Sequence, residues 1–184
     1  LLEISGSSGD KETFDGSSFA GVLRGEASKH RDYVFGMHNN MPEGPAYPIR
    51  SVTDGRFHLI RNLTPDEIYI EKHLMGIKGE GALNNPYWGT WIWDASTDPK
   101  TYGLVKRYMT RPAVQLFDLA ADPYEMKNLA EDPDFRSVRE DLSAALEQWM
   151  KVQGDPGIEQ DTDESLNAAR RGKHRYYPGL SELK

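Results

Sequence analysis

No cysteine occurs in the 184 residues. That excludes disulfides, thiolate nucleophiles and cysteine-based zinc sites, but it leaves the compartment open, since a periplasmic or secreted bacterial protein need carry none. Long apolar runs are missing too. No stretch approaches the roughly 20 residues of a spanning helix, so no membrane partner is expected. Positive charge is in deficit: 22 Lys and Arg stand against 29 Asp and Glu, a net charge of -7. No nucleic-acid surface is implied by that balance, and an anionic polysaccharide would have to be met by local cations working against the overall field. Self-contained catalytic signatures are absent as well, with no HExxH, GxSxG, Walker A or GxGxxG pattern.

What is present is the makings of one domain with a real core: 38% hydrophobic and 28% charged residues, with four tryptophans and nine tyrosines. The most informative stretch runs from Gln115 to Val152. Val114, Leu116, Phe117 and Leu119 make a short apolar strand ended by Asp118. Asp122-Pro123 is a helix-start signal, with Glu125 in capping-box spacing. Asp132-Pro133 repeats the signal. After it, Phe135, Val138, Leu142, Ala145, Leu146 and Trp149 recur at three- and four-residue steps, one apolar stripe on a helix stopped by Gly154 and Pro156. Burying that stripe contributes roughly 8–12 kcal/mol as an upper bound, which requires a surface beneath it.

Strands supply that surface. Residues 32–37 (DYVFGM), 47–52 (YPIRSV) and 57–63 (FHLIRNL) are rich in β-formers, and Thr53-Asp54-Gly55-Arg56 is a hairpin turn. With 114–119 they predict an α+β fold, a small antiparallel sheet of about four strands with the long helix packed on one face. Other elements are a turn of helix at Ala20–Leu23 closed by Gly25, a weak helix from Thr64 to about Met75, a loop over 77–86, and a helix from Asp98-Pro99 to Met109 stopped by Pro112. Leu1 to Gly6 reads as the last turn of a helix, which makes a longer parent chain the expectation. The expected division is 1–25 as the end of a preceding domain and connector, 26–153 as the sheet-and-helix unit, and 154–184 as a polar arm or tail.

Several residues carry candidate chemistry. His38, followed by Asn39 and Asn40, lies just past a strand, where loop side chains reach ligands; the alternative is an ordinary surface loop. Arg50 suits a sulfate or carboxylate fork, or equally a solvated strand residue or an ion pair. Trp88, Trp91 and Trp93 form either a stacking platform for a sugar ring or a packing cluster anchoring an insertion. Arg170, Arg171, Lys173, His174 and Arg175 form a basic cluster that reads as a solvated tail or a glycan contact. Asp118 and Asp122 have structural duties at a strand end and a cap.

Taken in order, several blocks resemble the C-terminal part of the sulfatase family: LLEISG at Leu1–Gly6, DGSSF at Asp15–Phe19 with VLRG at Val22–Gly25, RDYVF at Arg31–Phe35 with His38-Asn39, YPIRSV at Tyr47–Val52, RFHLIRNL at Arg56–Leu63, and Arg111-Pro112, LFDL, DPYE and NLA between 111 and 130. The branch it most resembles cleaves the N–S bond of N-sulfoglucosamine in heparan-type glycans. The resemblance implies an alkaline-phosphatase-like parent whose large domain holds a formylglycine nucleophile and a calcium ion, and whose small C-terminal subdomain closes the pocket. It implies a sulfated glycan as substrate and the chain's own N-terminal catalytic domain as partner. No Cys-x-Pro-x-Arg or Ser-x-Pro-x-Arg nucleophile motif stands in these residues. No catalytic residue or metal ligand is therefore assigned, calcium and formylglycine being expected outside. His38, Asn39, Asn40 and Arg50 are the expected substrate-binding residues.

Overall fold

A computed structural model describes residues 2–6, 16–39, 45–76, 85–160 and 164. Its body is an antiparallel sheet of β1 (Val34–His38), β2 (Ile49–Thr53), β3 (Phe57–Asn62) and β4 (Val114–Asp118), ordered as in the chain. The β2–β3 hairpin closes where expected. Gly55 supplies a φ of 100°, and the Asp54 carboxylate accepts the backbone N–H groups of Arg56 and Phe57. The fold class is the expected one, with strand ends displaced by a residue or two.

Register decides what each face carries. Phe35, Val52, Leu59 and Leu116 stand opposite one another across all four strands. The long helix α5 (Arg136–Gln153) lies over that row, and Val52, Leu59, Leu116, Leu142 and Leu146 make a dry core with Leu129 and Ala130. Phe35 stacks on Trp149 with ring centroids 5.0 Å apart, and Phe57 meets Phe135 edge-on. Gly154, at φ 63°, ends α5 in the left-handed region, where a side chain would be strained.

The rest of the helix content flanks the sheet. Helix α1 is the expected single turn, Ala20–Leu23. The weak helix beginning at Thr64 reduces to α2 (Lys72–Met75), whose first N–H groups are met by the Glu71 carboxylate. Thr64 and Glu67 only close a turn. Tertiary packing captures the segment between: Tyr69 N–H donates to Met109 C=O at 2.9 Å, and its ring sits against Tyr47 and Tyr108. Residues 86–95, of which the expected loop included only the first, form α3 (Pro86–Ala95), and α4 (Pro99–Met109) follows. Both open with a capping side chain ahead of proline, Asn85 and Asp98.

Two expected helix signals are turns instead. Leu2 to Gly6 is a turn closed by Gly6. After Asp122-Pro123 the chain does not coil, because Glu125 adopts φ 55° and the Asp122 carboxylate reaches forward to Lys127 N–H. Beyond Gly154 the chain turns back onto the body through Asp155 and forms a 3-10 turn, Gly157–Gln160. Asn40 and the basic cluster at 170–175 lie outside the described residues.

Candidate functional site

The site begins with a buried cation. Strand alternation puts Arg50 on the α5 face, one row beyond Val52, and its side chain is fully buried. The left-handed turn at Gly154 delivers Asp155 to it. Arg50 Nη2 donates to Asp155 Oδ1 at 2.8 Å and Nε to Oδ2, while Nη1 donates to Asn39 Oδ1 and to Ile49 C=O, both at 2.9 Å. The hydrogen bond from Arg50 holds the Asp155 carboxyl below its ordinary range, against the opposing effect of burial. Of the sequence readings of Arg50, the geometry is that of the ion pair. Its fork is spent on Asp155, and what it offers the surface is a fixed Asn39.

Next to Asn39, the exposed His38 ends β1 on the opposite face, its ring 6.2 Å from that of Tyr69. That second face carries His58, Ile60 and Asn62 from β3 and Gln115 and Phe117 from β4. Helix α4 stands over it without closing it. Between them runs an open groove of about 380 Å³, its walls including Ile60, Gln115, Arg107, Tyr108, Arg111 and Glu125.

Its polar groups are fixed by short contacts. The Arg111 guanidinium lies 3.9 Å from the Tyr69 ring centroid, and its Nε donates to Tyr108 C=O. Arg107 Nη1 donates to Met126 C=O at 3.1 Å, beside the Phe117 ring. His58 Nδ1 and Glu125 Oε1 are 2.6 Å apart. Burial pushes the Tyr69 hydroxyl above its usual range, with Arg111 opposing; Tyr108 is raised likewise. Both phenols are therefore neutral at ordinary pH, able to donate. His38 and this groove are joined through Tyr69, which touches both His38 and Arg111.

Sequence reasoning singled out His38, Asn39 and Arg50, which the structure brings together, and passed over Arg107 and Arg111 as functional groups. Arg107 lies in the last turn of α4 and Arg111 two residues past its end, so no helical spacing in the sequence linked them. The tryptophans do not make one platform. Trp88 is buried against Tyr108, with centroids 6.0 Å apart, whereas Trp91 and Trp93 are exposed. Residues two apart on a helix point about 200° apart, so those two rings cannot share a face.

The chain has no cysteine, and among the described residues no three His, Asp or Glu side chains come together as a metal site. No catalytic step is assigned to these residues.

No family model matches the chain. An ulvan-active sulfatase of Formosa agariphila is 31% identical over 157 residues, 84% of this chain and 28% of that protein. The human N-sulphoglucosamine sulphohydrolase is 26% identical over 132 residues, 68% of this chain and 24% of that protein. A solved 2-O GAG sulfatase superposes with a TM-score of 0.50 at 22% identity, covering 84% of this chain and 23% of that one, which speaks to fold alone. The chain thus spans about a quarter of the length of the relatives it matches. With the ordered sequence blocks and the sheet-and-helix architecture, these likenesses place it: the chain belongs to the sulfatase family and corresponds to the C-terminal part of its members.

Proposed function

We propose that this chain is the substrate-shaping C-terminal subdomain of a glycan sulfatase, N-sulfoglucosamine sulfohydrolase-like, whose parent hydrolyses sulfate esters or sulfamides of a sulfated glycan. The observation that carries the reading is the 31% identity to an ulvan-active sulfatase sustained over 84% of the chain. In this reading residues 26–153 form the subdomain, extended by the Asp155 anchor, and 1–25 connect it to a catalytic domain that supplies formylglycine and calcium. His38 and Asn39 border the bound sugar. Asn40 continues that edge, and Arg50 is a positioning residue that holds Asn39 through its fork on Asp155. His38, as a neutral or charged imidazole, donates a hydrogen bond to a sugar hydroxyl or sulfate oxygen.

Two measurements test this. The 184 residues alone should release no sulfate from N-sulfoglucosamine or sulfated oligosaccharides; release by the purified chain, with no other polypeptide present, overturns the assignment. In the parent enzyme, His38→Ala should raise KM by about tenfold, with kcat changed by less than about threefold, the mark of lost binding rather than lost chemistry. An unchanged KM removes His38 from the substrate edge. Comparing N-sulfated with O-sulfated substrates decides the linkage. The rival reading, a glycan-binding module built on the tryptophans, is disfavoured by the inward turn of Trp88.

A further inference from the structure

The groove on the second sheet face holds two guanidinium groups that no carboxylate among the described residues pairs with. Among the described residues no carboxylate lies within ion-pair reach of Arg107 or Arg111, although Arg24, Arg50, Arg56, Arg61 and Arg139 each have one. Their contacts are with neutral groups: Met126 C=O and Sδ and the Phe117 ring for Arg107, Tyr108 C=O and the Tyr69 ring and hydroxyl for Arg111. These contacts fix each side chain while consuming few of its donors, since a guanidinium carries five N–H groups. The groove's own acid, Glu125, is engaged by His58. Glu71 stands close enough to act on Tyr69 and Tyr108, and its carboxylate accepts the N–H groups of His73 and Leu74.

In a chain with a net charge of -7, two cations unpaired with any described carboxylate and converging on one groove mark a site for an anion. The remaining lining says what kind. Gln115 and the Tyr108 and Tyr124 phenols offer neutral donors and acceptors, and Ile60, Leu104 and Phe117 offer apolar surface. That mixture suits the face of a pyranose ring and its hydroxyls, and about 380 Å³ falls at the lower end of small-molecule sites. A bare inorganic ion would leave the apolar wall unused.

We infer that the Arg107–Arg111 groove is a subsite for an oxyanion-bearing sugar, taking a sulfate or carboxylate group of a glycan unit that neighbours the one undergoing hydrolysis. This rests on the sulfatase reading for the identity of the glycan, while the oxyanion site itself rests on the groove. Each guanidinium presents planar, paired donors to the oxyanion, which lysine cannot reproduce. Tyr69 links this subsite to His38, so one extended chain can occupy both.

The test is binding without hydrolysis, by calorimetric titration of the 184-residue chain with a heparin tetrasaccharide. The wild type should bind, with affinity falling as salt is raised. Arg107→Gln should weaken binding by at least about tenfold, the scale of a lost charge-assisted hydrogen bond. Arg111→Lys should weaken it as well, although the charge is kept, because the fork is lost. Circular dichroism checks that each variant is folded, and Arg107→Gln alone decides if the Arg111 variant is not. A fully desulfated tetrasaccharide that keeps its uronates separates the sources: retained arginine-dependent binding assigns a carboxylate, lost binding a sulfate, and either supports the subsite.

Equal binding of neutral chitotetraose, or wild-type affinity in both variants, overturns it. Absence of binding by the wild-type chain does so too. The enzyme reading is judged separately by sulfate release from the parent. Binding here with no activity there removes the enzyme and keeps the subsite; activity there with no binding here does the reverse.

Discussion

The two faces of the sheet are made by the same strands and differ in nearly every other respect. The α5 face is sealed by apolar side chains, and its polar groups are paired: Arg50 with Asp155, Arg61 with Glu147 and Asp118 with Arg56. The opposite face is aromatic and cationic, roofed by α4 at a distance and open along a groove. The first face holds the protein together and the second is free to bind. Stability should therefore be lost by changes on one face and function by changes on the other.

The sharpest way to break that contrast is inside the sealed face. Asp155→Asn leaves a buried guanidinium without its counter-charge and should cost about 3–5 kcal/mol in urea unfolding. Leu146→Ala, at a fully buried core position, should cost about 2–5 kcal/mol by opening a cavity. Losses under about 1 kcal/mol for both would deny that this face carries the fold.

The α3–α4 pair offers an internal control. Trp88→Ala should destabilise by about 3–5 kcal/mol, whereas Trp93→Ala, at 77% exposure, should change stability by less than about 0.5 kcal/mol. Similar effects from the two would mean that α3 is turned differently against α4.

Acid provides a third handle. Asp155 and Asp118 are both held below their ordinary 3.8, first by hydrogen bonds from Arg50 and Arg56 respectively. Their folded values lie below their unfolded ones. The stabilisation is thus complete above the unfolded value and is withdrawn as pH falls through the folded values. The urea midpoint should be level between about pH 5 and 7 and fall below about pH 4. Asp155→Asn should flatten that fall, and an undiminished slope in the variant would assign the acid sensitivity elsewhere.

The smallest effect concerns the open face. Glu125 is the non-glycine residue with positive φ among those described, and it pairs with half-exposed His58. Glu125→Gly relieves roughly 1–2 kcal/mol of backbone strain and loses a hydrogen-bonded contact with His58 worth about 1 kcal/mol, so stability should move by no more than about 2 kcal/mol, upward if at all. A large loss would show the pair to be a structural support.

The contrast also explains what the sequence made legible. The α5 face is written in short-range periods: the three- and four-residue stripe from Phe135 to Trp149 and the alternation Phe57, Leu59 recover helix, sheet and their contact. The open face is assembled from distant pieces. Tyr47, Tyr69, Tyr108 and Arg111 meet only after the chain has folded, and nothing in the local pattern of 64–75 announces that Tyr69 N–H will be taken by Met109. The start of α3 had a signal in the sequence, since Asn85-Pro86 has the form of Asp98-Pro99, but the glycines and asparagines before it carried the expected loop through Pro86. Arg50 read as a fork correctly in its chemistry; its carboxylate, 105 positions away, belongs to the protein itself. The left-handed Glu125 defeated the capping signal at Asp122, because a glutamate gives no warning of positive φ.

Backbone amide shifts recorded while a heparin tetrasaccharide is titrated into the isotopically labelled chain would read both faces at once. The amides near His38, Tyr69, Arg107 and Arg111 should move together and saturate with a single affinity, while those of Leu142, Leu146 and the rest of the α5 core stay still. Perturbations confined to α5, or no perturbation at all, would contradict the assignment of the open face to the glycan.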